Sequence, residues 1–207
     1  MGNPRGTRNC GAVATAIGGF PVQKMRERRS AGDRLLFTTD GQQALDTPYL
    51  ATERLLPLYC FVYDVEGYEF WGFSWWTNNP WRMGWHQYIL QSDQGQDFYW
   101  IRYPNGDGYL AYPADGGVAP VPSIRLKAVR EGAEDYEYYL LWKQAVERAQ
   151  QLGMDVSSAQ ALRQQMESLV PIPNAGGLRS TQILPDPETI YQLRREIARQ
   201  ILQWMKE

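Results

Sequence analysis

Residues 35 to 76 read LLFTTDGQQALDTPYLATERLLPLYCFVYDVEGYEFWGFSWW, two apolar runs separated by a helical segment. The run LLF suits a short buried strand, and YEFWGFSWW after Gly67, residues 68–76, is too short for a helix and rich in strand formers. Between them, Pro48 opens a helix. Two apolar strands joined by a helix favour a parallel sheet with helices outside, as in an α/β barrel or a doubly wound fold. The predicted fold class is therefore α/β.

Four helices are also predicted outside this stretch. Two cover residues 22–29 and 158–169, and two begin at residues that can cap a helix. Ser123 is the N-cap of a strong helix whose apolar residues recur at spacings of three and four and should form one stripe against the sheet. The stripe consists of Leu126, Val129, Ala133, Tyr136 and Leu140. Asp186 caps the last helix, with Pro187 at its first position. The stripe of that helix is Ile190, Leu193, Ile197, Ile201 and Trp204.

Aromatic residues are concentrated in one window. Of the 27 in the chain, 18 fall between Tyr59 and Tyr112, and six of the eight tryptophans lie there. Loops at the carboxyl ends of parallel strands carry the functional site, so residues 38–46 and 75–122 should line it. Tryptophans at this density, around Trp75, Trp76, Trp81 and Trp85, indicate surfaces that stack on sugars or bases, although a core of large side chains would give the same pattern. The dipeptides Asn-Gly and Asp-Gly at 105–108 predict a hairpin between FYWIRY and YLAYP.

Several classes of function lose support from composition. The formal net charge of -2 leaves no basic excess for phosphates, so no nucleic-acid partner is expected. No stretch approaches the roughly 18 apolar residues of a membrane-spanning helix. His86 is the only histidine, and Cys10 and Cys60 match no metal or redox spacing. We therefore expect no metal and no cofactor.

Three motifs in order resemble one enzyme family. They are GYEFWGFSWW at 67–76, YPNGDGYLAYP at 103–113 and PSIRLKAVREGAEDYEYYLL at 122–141. This order is similar to the C-terminal part of the catalytic domain of glycoside hydrolase family 123. Departures from the family pattern are Glu69, Lys127 and Ala114, which affect strand register more than membership. The resemblance covers roughly residues 31 to 150.

The resemblance implies the C-terminal portion of a (β/α)8 barrel, with about two strand-helix repeats and a long aromatic loop. We expect three parts of the chain: a poorly ordered N-terminus at residues 1–21, a part of the barrel at 22–150 and a helical extension at 151–207. A whole barrel needs about 250 residues, so we expect a fragment of a longer protein. We read no signal peptide, and a secreted or periplasmic parent protein stays open.

The family implies a β-N-acetylgalactosaminidase-like, substrate-assisted retaining hydrolase acting on glycans that contain N-acetylhexosamine. No segment matches its adjacent Asp-Glu catalytic pair, so no catalytic residue is assigned here. The expected contribution is one wall of the sugar site, built from Trp75, Trp76, Asp107 and Arg125. Asp107 suits a turn as well as a ligand, and Arg125 is expected to pair with a loop carboxylate rather than touch substrate.

Two alternatives accompany this interpretation. A non-catalytic carbohydrate-binding protein would need the same aromatic surface and no acid pair. A platform for single-stranded nucleic acid would need stacking rings interleaved with a basic groove, and residues 75–100 contain Arg82 as their only basic residue, which ranks this alternative last. Glu134 and Asp135 are adjacent carboxylates, but they lie within a predicted helix, where ion pairs and helix anchoring are the expected role.

Overall fold

In the computed structural model, the N-terminal part of the chain contains a three-stranded parallel sheet. The structure describes residues 11–16, 21–38, 51–69, 72–74, 81, 86–91, 98–103, 110–114, 119–172 and 186–205. Strands β1 (Ala12–Ala16), β2 (Arg34–Thr38) and β3 (Gly67–Glu69) lie side by side in chain order. Helix α1 (Val22–Ser30) connects the first two, and α2 (Ala51–Tyr63) connects the second and third. The mixed α/β class is confirmed, whereas the barrel stays a prediction.

The first and third strands differ from the sequence-based expectation. Strand β1 lies within residues 1–21, for which we expected no ordered element, and that expectation is wrong for Ala12–Ala16. The small residues of this strand give a weak apolar pattern in the sequence. The strand forms because its main chain pairs with β2 over five residues, from Ala12 opposite Arg34 to Ala16 opposite Thr38. Strand β3 ends at Glu69, whereas we predicted one strand ending at Trp75 or Trp76; residues 72 and 73 are not part of a strand.

Charged side chains connect the elements at the amino end of the sheet. The buried carboxylate of Asp33 accepts a hydrogen bond from the Gly11 amide at 3.1 Å and pairs with Arg28. Glu66, just before β3, receives hydrogen bonds from Arg34 at 2.6 Å and Arg29 at 2.7 Å, and these bonds lower the pKa of its carboxyl. We call the five charged residues of this cluster, Arg28, Arg29, Asp33, Arg34 and Glu66, the amino-end clamp. The clamp ties the starts of all three strands together.

Two antiparallel ribbons follow the sheet. Strands β4 (His86–Gln91) and β5 (Phe98–Tyr103) pair over six residues, and β6 (Ala111–Pro113) pairs with β7 (Pro120–Pro122). The predicted pairing of FYWIRY with YLAYP is therefore wrong. Turn dipeptides favour a local reversal, but a strand pair is stabilised by the side-chain contacts along its whole length. HQYILQ offers β5 six partners.

Three helices complete the described part of the chain. They are α3 (Ile124–Gln151), α4 (Ser157–Leu169) and α5 (Glu188–Met205). Both predicted caps are confirmed, since the Ser123 hydroxyl accepts from the Leu126 amide at 3.3 Å and Asp186 accepts from the Glu188 amide at 3.0 Å. No helix in the described ranges is both long enough and apolar enough to cross a membrane.

The buried face of α3 is not the predicted apolar stripe. Ala133 is exposed, and the other four stripe residues are only partly buried. The face that packs inward lies one residue earlier and consists of Arg125, Gly132, Asp135, Tyr139, Trp142, Ala145 and Ala149. The prediction failed because this face carries an arginine, an aspartate and a glycine, which an apolar pattern does not detect.

Helix α2 lies at the centre of the hydrophobic core. Seven consecutive residues, 54–60, are buried, so the helix is covered on all sides. It contacts β3, α3 and α4, and the aromatic rings of Phe61, Tyr139 and Trp142 pack together beside it. The stripe of α5 is confirmed, with Trp204 and Ile197 fully buried in the same core.

Helices α2 and α3 cross at Gly132. A Cβ atom there would lie 2.7 Å from the main-chain oxygen of Arg54 and 3.3 Å from two ring carbons of Pro57. A carbon–oxygen contact that short forces the helices apart, and main chain in a helix cannot move aside as a flexible side chain can. Only glycine allows this approach.

Replacing Gly132 by alanine tests the crossing. Helix propensity alone would stabilise this variant by about 1 kcal/mol. We expect instead a net loss of about 1–3 kcal/mol in the free energy of unfolding, because the added methyl group overpacks the crossing. Urea denaturation measures it. Ala133→Gly, at the exposed neighbouring position, should lose only about 1 kcal/mol, and a stabilised Gly132→Ala protein would refute the close approach.

Cys60 offers a test of the core around α2. The thiol is 4% exposed, and burial raises its pKa to about 12. Since the thiolate is the reactive form, Cys60 should resist alkylation by iodoacetamide at pH 8.5 in the folded protein and react in 6 M urea. Peptide mass spectrometry reads the modification at this residue. Equal rates of labelling in both conditions would contradict the packing described here.

Candidate functional site

The β6–β7 hairpin and the start of α3 form one rigid unit. The main-chain N–H and the hydroxyl of Ser123 both donate to the carbonyl of Leu110, at 3.0 and 2.8 Å. The same hydroxyl caps α3, so one serine fixes the hairpin to the helix. The carbonyl of Phe73 accepts from the amides of Leu110 and Ala111, at 3.0 and 2.9 Å, which joins the segment after β3 to the hairpin.

Arg125 supports Tyr112 from within this unit. The arginine is 2% exposed, and its Nη2 donates to the Tyr112 hydroxyl at 2.8 Å. Its guanidinium carbon lies 5.4 Å from the centre of the tyrosine ring, within the range of a cation–π contact. The hydroxyl end of Tyr112 is thereby held in one orientation.

Trp81 lies against the ring of Tyr112. The two ring centres are 4.9 Å apart with planes inclined by 33°, and the indole Nε1 donates to the carbonyl of Pro113 at 2.8 Å. The side chain is nevertheless 59% exposed. A hydrogen bond at one edge and a ring contact fix the indole while much of its surface faces solvent. We call Trp81, Tyr112 and Arg125 the aromatic platform.

The predicted site residues have different outcomes. Arg125 lies in the platform, and its described contact is with the phenol of Tyr112, so the expected pairing with a loop carboxylate stays a prediction. Trp75, Trp76 and Asp107 lie outside the described residues. Sequence reasoning included Trp81 in the tryptophan cluster but missed Tyr112, whose place opposite Val121 depends on the β6–β7 register.

Glu134 and Asp135 face different surroundings. Asp135 is 2% exposed and its carboxylate lies 2.7 Å from Nη2 of Arg54 and 3.3 Å from Nη1 of Arg194. Glu134 is 49% exposed and lies 3.5 Å from Arg130. Burial raises the pKa of Asp135 against the opposing effect of the two arginines. The expected role in ion pairs is confirmed for both carboxylates, and helix anchoring is confirmed for Asp135, whose partners lie in α2 and α5.

Metal coordination finds no support in the described ranges. Within them, no group of three or more histidine, cysteine, aspartate or glutamate side chains is arranged to hold an ion. The aromatic platform itself offers a ring face for apolar contact and the Tyr112 hydroxyl for a hydrogen bond.

Comparison with known families identifies the chain. The model of the family described as "Glycoside hydrolase 123, catalytic domain" matches residues 13–141, more than half of the sequence. The chain belongs to glycoside hydrolase family 123. The match covers the parallel sheet, both ribbons and more than half of α3, so the aromatic platform lies within the family's catalytic domain.

A solved family 123 enzyme has a similar fold. It is a glycoside hydrolase from Clostridium perfringens whose structural analysis concerns glycolipid glycan hydrolysis. The two superpose with a TM-score of 0.53 at 15% sequence identity, over 94% of this chain and 32% of the other. This chain thus spans about a third of the length of that enzyme. No protein with a curated description matches.

Removing the buried carboxylate at α3 tests its anchoring role. The Asp135→Ala substitution removes the nearest carboxylate of the largely buried Arg54 guanidinium. The acidic group described beside Arg54 is then that of Glu131, at 3.5 Å. Breaking a buried pair from one side costs about 3–5 kcal/mol, and we expect a loss of that order in urea denaturation. Glu134→Ala is the matched control, with an expected change of about 0.5 kcal/mol or less. Similar losses in both variants would remove the special role of Asp135.

Proposed function

We propose that this chain forms part of a glycoside hydrolase that cleaves glycans containing N-acetylhexosamine by substrate-assisted hydrolysis with retention. The observation that carries the proposal is the match of residues 13–141 to the catalytic domain of family 123. The described enzyme of similar fold, which acts on glycolipid glycans, supports a glycan substrate.

In this mechanism the substrate supplies its own nucleophile. The carbonyl oxygen of the 2-acetamido group attacks the anomeric carbon, and the glycosidic oxygen leaves with a proton from a glutamic acid. An adjacent aspartate stabilises the charged oxazoline-like intermediate, and water then opens it from the side of the departed group. We assign this Asp-Glu pair to a part of the parent protein other than these 207 residues.

The proposed role of this chain is to form one wall of the sugar site. Trp75 and Trp76 follow β3 in the sequence, and we propose that one stacks on a sugar ring while its neighbour packs inward. Asp107 would accept hydrogen bonds from sugar hydroxyls. Since Arg125 is buried against Tyr112, its proposed role is to hold that tyrosine at the wall.

The test is hydrolysis by the protein that carries this chain. The protein should release 4-nitrophenol from 4-nitrophenyl β-N-acetylgalactosaminide. The N-trifluoroacetyl analogue of this substrate should react at least about tenfold more slowly, because its carbonyl oxygen is a weaker nucleophile. The matched β-galactoside, which lacks the acetamido group, should not react. A protein that cleaves both glycosides equally would contradict substrate assistance, and saturable binding without hydrolysis would identify a non-catalytic carbohydrate-binding protein.

A further inference from the structure

Trp81 is 59% exposed, more than any other aromatic residue whose exposure the structure describes. Exposed indoles carry a solvation cost, and an isolated one would change rotamer freely. This one is fixed by its hydrogen bond to Pro113 and by its contact with Tyr112. The fold therefore presents a large flat ring to solvent in one orientation, which is what a stacking surface requires.

The exposed surface continues along the hairpin. Tyr112 and Val121 are direct partners in the antiparallel pairing of β6 and β7, so their side chains lie on the same face of the hairpin. Val121 is also exposed. Trp81, Tyr112 and Val121 together form a narrow apolar strip, and the Tyr112 hydroxyl, held from beneath by the buried Arg125, lies at its polar edge.

This combination fits a sugar better than a purely apolar ligand. A pyranose ring has one apolar face of C–H groups and a rim of hydroxyls, so it needs a flat ring beneath it and hydrogen-bonding groups beside it. An acyl chain would form no hydrogen bond with the Tyr112 hydroxyl.

We propose that Trp81 stacks on a pyranose ring of the glycan substrate, with the Tyr112 hydroxyl facing the hydroxyls at the edge of that ring. The identity of the ligand rests on the proposed function. The stacking contact itself involves no catalytic step. Binding at Trp81 would therefore be measurable even if this chain hydrolyses nothing, and the two proposals can fail separately.

Nitrogen-15 NMR of the intact chain tests the stacking contact. Each of the eight tryptophans has one indole N–H resonance, and the Trp81 signal is identified by its loss in Trp81→Phe. Titration with methyl β-N-acetylgalactosaminide should shift this signal. Trp81→Ala should weaken binding about tenfold, whereas Trp81→Phe, which keeps a ring, should weaken it less. Leu202→Ala removes exposed apolar surface on α5 and should leave the affinity unchanged.

The outcomes separate the possible occupants. Because the Trp81 variants have no Trp81 signal, their affinities are read by isothermal titration calorimetry. A sugar-dependent shift of the native Trp81 signal, together with weaker binding by Trp81→Ala and an unchanged circular dichroism spectrum, supports the proposal whether or not the protein hydrolyses glycosides. Equal affinity in Trp81→Ala would overturn it, as would no binding by the native chain. A shift with hexanoate but not with sugar would assign the strip to an apolar ligand. A shift that depends only on protein concentration would assign it to a second copy of the chain.

Discussion

The ion pair between Arg54 and Asp135 determines how the longest helix sits on the rest of the molecule. Taking two charges out of water costs several kcal/mol per ion, and the cost is offset only while the partners meet. Moving α3 along its axis by one turn, about 5.4 Å, would separate the two and leave both buried. The crossing at Gly132, one turn away on the same face, adds a steric condition. Charge and close contact thus select one register of α3 against α2.

That register also sets the position of the aromatic platform. Arg125 lies on the same face of α3 as Asp135, ten residues earlier, which corresponds to about 15 Å along the axis. The helix is continuous between them, and Ser123 joins its start to the β6–β7 hairpin. A displacement at the ion pair would therefore move Tyr112 and Trp81 with it. The buried polar residues of α3 link the core to the candidate sugar surface.

Features determined by neighbouring residues were predictable from the sequence. Ser123 and Asp186 cap their helices through bonds to main chain two or three residues away, and the α5 stripe follows a plain apolar period. The buried face of α3 was not predictable, because Asp135 becomes an inward-facing residue only when Arg54, 81 positions earlier, meets it. The aromatic platform also depends on a long-range contact, since Trp81 is fixed by the carbonyl of Pro113, 32 positions later. The motifs indicated the family, but long-range contacts decided which aromatic ring is anchored.

The amino-end clamp and the aromatic platform depend on different parts of the sequence. Asp33 connects the start of β2 to the Gly11 amide before β1, and Glu66 connects the starts of β2 and β3 through Arg34. The platform is built beyond the carboxyl end of β3. Since substitutions at sites without shared partners have nearly additive effects, the residues around Trp81 are free to diverge while the clamp preserves the sheet. Substitutions that change what the platform binds should therefore leave the stability of the sheet at the other end of the fold unchanged.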